Sequence, residues 1–238
     1  MARFGLAKHV FVCRDEEYVV VLDLKRDRYF ALEAARTAVL SPLLPGWPVP
    51  SPGNSGTITA VAVDEAAAPL LRQGWLLEQP AASKEATPVR LPTPETELAG
   101  DAEIAAAKLS AWTVIAFVTA SIFAKFALRF WRFERVIRRV AERNAARVNA
   151  SRPLDIDRAR QLLDAFGRMR VFLFSAREEC LHDSLAVLEF LARHEIFPSW
   201  VFAVRARPFA AHCWVQHAGI VFNDSVEHVS TYTPIMVV

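Results

Sequence analysis

Glu179-Cys180-Leu181-His182-Asp183-Ser184, then Ala211-His212-Cys213-Trp214-Val215, then Val221-Phe222-Asn223-Asp224 are the stretches on which the reading of this 238-residue chain turns. Leu181, Leu185, Leu188 and Leu191 recur at helical steps, which predicts an amphipathic helix opening at Cys180 and ending near Arg193-His194. Residues 200–204 and 211–216 are β-branched and aromatic and are joined by a turn around Pro208, so they read as two strands. A third strand, 219–224, follows the His217-Ala218 turn. A helix packed on such a sheet can bring Cys180, His212 and Asp224 together as nucleophile, base and orienter, a cysteine-hydrolase triad. The first turn of a helix suits the thiol, because its free N–H groups and dipole stabilise a thiolate and can later hold an oxyanion.

A metal site built from Cys180, His182, His212 and Cys213 competes with this reading. Neighbours on a strand face opposite ways, so His212 and Cys213 should not ligate one ion, and no metal or other cofactor is expected. Cys213 reads as a small buried residue beneath the sheet, and His182 as exposed or supporting. His194, His217 and His228 lie at element ends and carry no signal of their own.

Outward from this region, residues 101–147 read as helical almost throughout. Phe126, Phe130, Phe133, Ile137 and Val140 recur at three- and four-residue steps and are expected to face the core. Arg132, Arg135, Arg139 and Arg143 form a stripe on another side, read as a solvated face or as a docking face for an acidic partner. Asp155 or Asp157 starts a further helix through Arg170, with Ala159, Leu162, Leu163 and Phe166 on its apolar side. The apolar run between Lys108 and Lys125 is shorter than the roughly 20 residues a spanning helix needs. It is therefore expected to be a buried core helix, with no stable membrane insertion.

Residues 80–100 carry Pro80, Pro88, Pro92 and Pro94 among Ala, Ser, Thr and Glu and read as an extended linker. It separates an N-terminal domain, 1–79, from a C-terminal one, 101–238. In the first, residues 9–14, 18–23 and 28–32 are strands and 33–40 a helix stopped by Pro42 and Pro45. Pro48, Pro50, Pro52, Gly53 and Gly56 make a loop. Asp64 caps a helix reaching Gln73 and ending at Gly74, and Trp75-Leu76-Leu77 returns as an extended piece. This order suggests a small winged-helix domain. Its last helix has only Arg72 beside Asp64 and Glu65, too little positive charge for phosphate, so nucleic acid is disfavoured. The third strand instead offers an edge for an extended peptide, with Arg28, Tyr29, Phe30, Ala67 and Leu71 as candidate contacts; Tyr29, Phe30 and Leu71 could equally be core.

The composition fits a globular α+β protein, with 53% hydrophobic residues and 28 basic against 26 acidic side chains. Cys13, Cys180 and Cys213 are an odd, scattered set, which suits free thiols in the cytoplasm. The first residues lack the long apolar run of a secretory signal.

Cys180-Leu181 at a helix start, Ala211-His212-x-Trp214-Val215 and Asn223-Asp224 together resemble the lasso-peptide B proteins. These are leader peptidases with a transglutaminase-like domain of the papain-type cysteine hydrolases. Tyr18-Val-Val-Val-Leu-Asp23, Tyr29-Phe30-Ala31-Leu32 and Gln73-Gly74-Trp75-Leu76 are similar to the peptide-binding winged-helix module of the PQQ-biosynthesis chaperone. The resemblance is to the fused type, and spans about residue 11 to the end. It implies that the N-terminal module holds a precursor's leader and that Cys180, His212 and Asp224 cut the leader–core bond. It also implies a partner, an ATP-dependent cyclase resembling asparagine synthetase. His182-Asp183 stands where the family commonly has proline and a basic residue, and Cys213 and Gln216 where it often has Ala and Glu. The tryptophan often found before the cysteine is missing, with Phe172 and Phe174 in that region. These departures leave the oxyanion-hole side chain unassigned. Two other readings stay open: an acyltransferase in which an amine resolves the thioester, and a peptide-binding scaffold without catalysis.

Overall fold

A computed structural model describes residues 3–49, 59–78, 82–98, 109–148, 154–170 and 180–238. The loop prolines Pro50 and Pro52 with Gly53 and Gly56, the expected helical start at 101–108, and Phe172, Phe174 and Glu179 lie outside them. Mixed helices and strands give an α+β protein whose residues group into two units. One comprises 1–90 with 203–210 and 233–236, and the other 91–202 with 211–232 and 237–238.

In the first unit, β2 (Val10–Asp15), β3 (Tyr18–Asp23) and β4 (Arg28–Glu33) form an antiparallel sheet in that order, as the β-branched runs predict. A single helical turn, α1 (Ala34–Thr37), and a 3₁₀ turn at Ala38–Leu40 follow. Helix α2 (Ala60–Arg72) starts a turn earlier than Asp64 suggests, because the Thr59 hydroxyl accepts the Ala62 N–H at 3.2 Å and so caps it. Asp64 instead pairs loosely with Arg3 across 3.4 Å at the surface. Gly74 takes φ +72° and lets β5 (Leu76–Leu77) turn back onto β1 (Gly5–Leu6). The Trp75 indole then donates to the fully buried Asp23 carboxylate at 2.9 Å, while Phe4, Val19, Val21, Leu40, Leu44 and Leu70 fill the core. Hydrogen bonds from Trp75 and Arg26 hold Asp23 below the usual carboxylate range, although burial by itself would raise it.

The proline-rich segment is extended but tied down. Lys84 bridges Leu6, and Ala86 N–H donates to Pro45 O at 2.9 Å, within the first unit. Further along, β6 (Thr96–Glu97) runs parallel to β9 (Ile220–Val221), within the second unit. The five-stranded sheet has the order β10 (Thr233–Val237), β7 (Ser199–Arg205), β8 (Ala210–His217), β9, β6.

The long helices of the second unit among the described residues are α3 (Ala111–Phe130), α4 (Phe133–Val148), α5 (Ile156–Arg170) and α6 (Cys180–Ala192). Asp155 caps α5, its carboxylate accepting the Arg158 N–H at 3.0 Å. Phe117, Phe166 and Phe190 stack edge-on and tilted at 5.1 and 5.4 Å, joining α3, α5 and α6 in one core. Ile137 and Val140 are buried as expected, but Phe126 and Phe130 are 50% and 66% exposed. The chain breaks at Trp131-Arg132, so the apolar phase of α4 is not that of α3. The buried side of α3 is Ala116, Phe117, Ala120, Ala124 and Ala127. With Lys125 and Arg129 inside it, α3 is also longer than the run between the lysines suggests. By length and composition alone it could cross a membrane, and part of it is buried in the protein.

Candidate active site

Cys180 begins α6, His212 lies in β8, and Asp224 follows β9 just before the short helix α7 (Val226–Val229). All three belong to the second unit. His212 Nε2 and Asp224 Oδ2 share a short hydrogen bond, and Cys180 hydrogen-bonds to the same imidazole. Asp224 occupies Nε2, so the remaining ring nitrogen, Nδ1, is the one left for the sulfur.

The local sequence explains why these groups meet. β9 is only two residues long and pairs with Gln216 and His217, so the Val215 and Cys213 N–H groups farther along that edge of β8 turn to side chains. Asn223 Oδ1 accepts the Val215 N–H at 2.8 Å, and the Cys180 sulfur accepts the Cys213 N–H. The expected third strand therefore ends early, because side chains replace its ladder. Asn223 Nδ2 also reaches Ser184 Oγ at 3.1 Å and Asp183 Oδ2 at 3.2 Å, and Ser184 Oγ donates to Cys213 O at 3.1 Å. Asn223 and Ser184 thus lock the first turn of α6 to β8.

Electrostatics favour an ion pair. A hydrogen bond from the Cys213 thiol, with help from His212 and the Cys213 N–H, outweighs burial and lowers Cys180 from 9.0 to about 4. Burial alone would lower His212, but its bonds to Asp224 and Cys180 raise it from 6.5 to about 9. Cys213 itself is raised by burial and by the neighbouring Cys180, so it remains a thiol. Between about pH 4 and 9 the pair is thiolate and imidazolium. The raised His212 stabilises the fold fully below 6.5 and loses this as pH rises through about 9. The lowered Cys180 does so above 9.0 and loses it as pH falls through about 4. Such a pair can attack a carbonyl carbon and then protonate the departing group.

Several features of the site have no clear signal in the sequence. His228, one turn after Asp224, hydrogen-bonds through Nδ1 to both Asp224 oxygens at 3.0 and 3.2 Å, and its ring lies 4.6 Å from that of His212. The spacing Asp224-x-x-x-His228 behind the capping Ser225 was the available signal. Cys213 contacts Cys180 rather than hiding from it, because the sulfur lies at the strand backbone and not on one face. His182 is buried, 7% exposed, and not at the surface. Gln216, also buried, gives both amide hydrogens to Pro92 O and Ala218 O and accepts from Trp214 Nε1 at 2.8 Å. That leaves it no donor for an oxyanion. Asp183 pairs with Arg170 at 3.1 Å, though burial still raises it above the usual carboxylate range.

His212, Asp224 and His228 also offer three ligand atoms within 4.8 Å of one another, enough for a metal ion in principle. The same atoms hydrogen-bond one another, Nε2 of His212 and Nδ1 of His228 both reaching the Asp224 carboxylate.

Among the candidate peptide contacts, Arg28 is exposed at the start of β4. Tyr29 is half-buried against Phe209 at 5.8 Å, and Phe30 against Trp75 at 4.7 Å. Leu71 is half-buried on the same core, and Ala67, 1% exposed, lies inside it. β4 is an edge strand of its sheet.

With this geometry in place, comparison with known families gives one match. Residues 120–237 form a transglutaminase-like superfamily domain. The match includes Cys180, His212 and Asp224, and such a domain fits a cysteine-peptidase or acyltransferase type of function. No curated protein and no solved structure matches the chain.

Proposed function

We propose that the protein is a leader peptidase of lasso-peptide biosynthesis. The observation that carries this reading is the meeting of Cys180, His212 and Asp224 inside a transglutaminase-like domain. The N-terminal unit is a winged-helix module of the PQQ-chaperone type, and the open edge of β4 takes the leader as an added strand, with Arg28, Tyr29 and Phe30 beside it. The Cys180 thiolate attacks the carbonyl carbon of the last leader residue, and the oxyanion lies at the N-terminus of α6. His212 Nδ1–H protonates the departing amine, which frees the core peptide and leaves a leader thioester. His212, now neutral, takes a proton from water as the water attacks; the leader acid departs and the thiolate is restored. Asp224 holds the imidazole in this orientation throughout. The free core then passes to an asparagine-synthetase-like cyclase, and the reactions run in the cytoplasm.

Cys180→Ala tests this reading with purified protein and precursor, product masses being followed over time. Cleavage should fall on the order of 10⁴-fold or more while leader binding stays intact. Full cleavage by the variant removes the peptidase assignment. A leader carrying an added amine in place of a free acid assigns acyl transfer instead.

A further inference from the structure

We propose that the outer face of α3, with the arginines that follow it, docks the protein on an anionic lipid surface. The helix has two apolar faces of opposite build. Ala116, Ala120, Ala124 and Ala127 turn inward and are fully buried, while Trp112, Ile115, Ile122, Phe126 and Phe130 turn outward and are 50–66% exposed. A helix that serves only a core places its large side chains inside, where burial stabilises most. Here, Phe117 apart, the small ones are inside, and the large ones form a ridge along 20 residues, about 30 Å.

The charges beside the ridge say what covers it. Lys125, Arg129, Arg132 and Arg135 are exposed and have no acidic partner among the described residues. Arg135 lies over the Trp131 ring at 4.6 Å and Arg129 near Phe130 at 5.5 Å, so the cations sit at the rim of the apolar surface. At this end a cleft of about 370 Å³ is lined by Phe130, Trp131, Arg132, Arg135 and Arg138, with Glu134 as the one acid. Arg138 pairs with Glu142 at 4.0 Å, and the guanidinium groups of Arg132 and Arg135 around a cleft of headgroup size suit a phosphate, while the ridge beside it suits acyl chains. A lipid surface offers both layers along the whole helix, whereas an acidic protein would match the arginines but not a convex apolar ridge. Arg143, the last of the arginine stripe, is not part of this surface; it pairs inward with Glu189 at 2.6 Å. Docking is peripheral, because the inner face of α3 stays packed in its own unit.

Co-sedimentation of the full chain with vesicles tests this, using phosphatidylcholine alone and phosphatidylcholine mixed with phosphatidylglycerol. The protein should pellet with the anionic vesicles and far less with the neutral ones, and added salt should weaken binding. Arg132→Ala with Arg135→Ala should cost about fivefold in affinity per arginine. Ile122→Asp with Phe126→Asp should abolish binding while the far-ultraviolet circular dichroism stays unchanged. No pelleting with either vesicle overturns the proposal, as does equal binding by both double variants. A protein that ignores vesicles and runs as a dimer split by Ile122→Asp overturns it in favour of a second copy. The readout uses no substrate, so it stands apart from the proposed peptidase activity.

Discussion

Helix α6 turns polar side chains inward, whereas α3, packed beside it, turns large apolar ones outward. On α6, Ser184 and Glu189 are buried and each is bonded directionally, Ser184 to Cys213 O at 3.1 Å and Glu189 to Arg143 at 2.6 Å. On α3 the inward face is mostly alanine, which packs closely, with Phe117 as its one large buried side chain. Buried polar groups are costly unless satisfied, and satisfied ones fix geometry. The pairing therefore places rigidity under Cys180 and leaves the neighbouring helix to present a surface.

The largest effect that can break this contrast lies at the orienter. Asp224→Asn keeps the shape but changes which imidazole tautomer is held, so kcat for precursor cleavage should fall about 10³- to 10⁴-fold with KM little changed. An unaltered kcat would mean that β8 and α6 hold His212 without help. Next come the two faces of α3 in thermal unfolding. Ala120→Leu forces bulk into a fully buried site and should cost about 2 kcal/mol. Ile122→Ala, at a position 64% exposed, should change stability by less than about 0.5 kcal/mol. Equal losses at the two positions would show that the outer face is covered within the protein itself.

The smallest effect sharpens the role of His228. It is half exposed, so its bond to Asp224 is discounted for solvent, and His228→Ala should lower kcat about fivefold. His228→Asn, which keeps a donor at the same place, should recover most of that loss without a change in melting temperature. A loss equal in both variants would assign His228 to packing.

How far these features were legible follows from how local each cause is. β2, β3, β4, β7 and β8 each carry β-branched or aromatic residues between turn signals, and α6 has leucines at helical spacing, so their own residues define them. The meeting of Cys180, His212 and Asp224 could be anticipated because helix start, strand and strand end impose few alternatives. β9 lies inside the expected third strand, but β6 is two residues long and exists only through its pairing with β9, which no periodicity reveals. Phe126 and Phe130 have the spacing of a core face, but the alanines opposite them had already taken that place. Cys213 matters through a strand N–H left open and through Cys180, distant in sequence, and leaves no pattern, whereas His228 follows its partner Asp224 by one turn, a spacing that is common without such a role. Thr59 was overlooked as a cap because Asp64, an equally good cap type, stands nearer the leucines of α2.

The account's central claim is that Cys180 is a thiolate held by His212 and Cys213, and alkylation measures it directly. Rates of iodoacetamide addition at Cys180, read by peptide mass across pH, should have their midpoint at about 4, with the buried Cys13 and Cys213 unmodified. A midpoint near 9.0, that of an ordinary thiol, would contradict the ion pair and the nucleophile built on it.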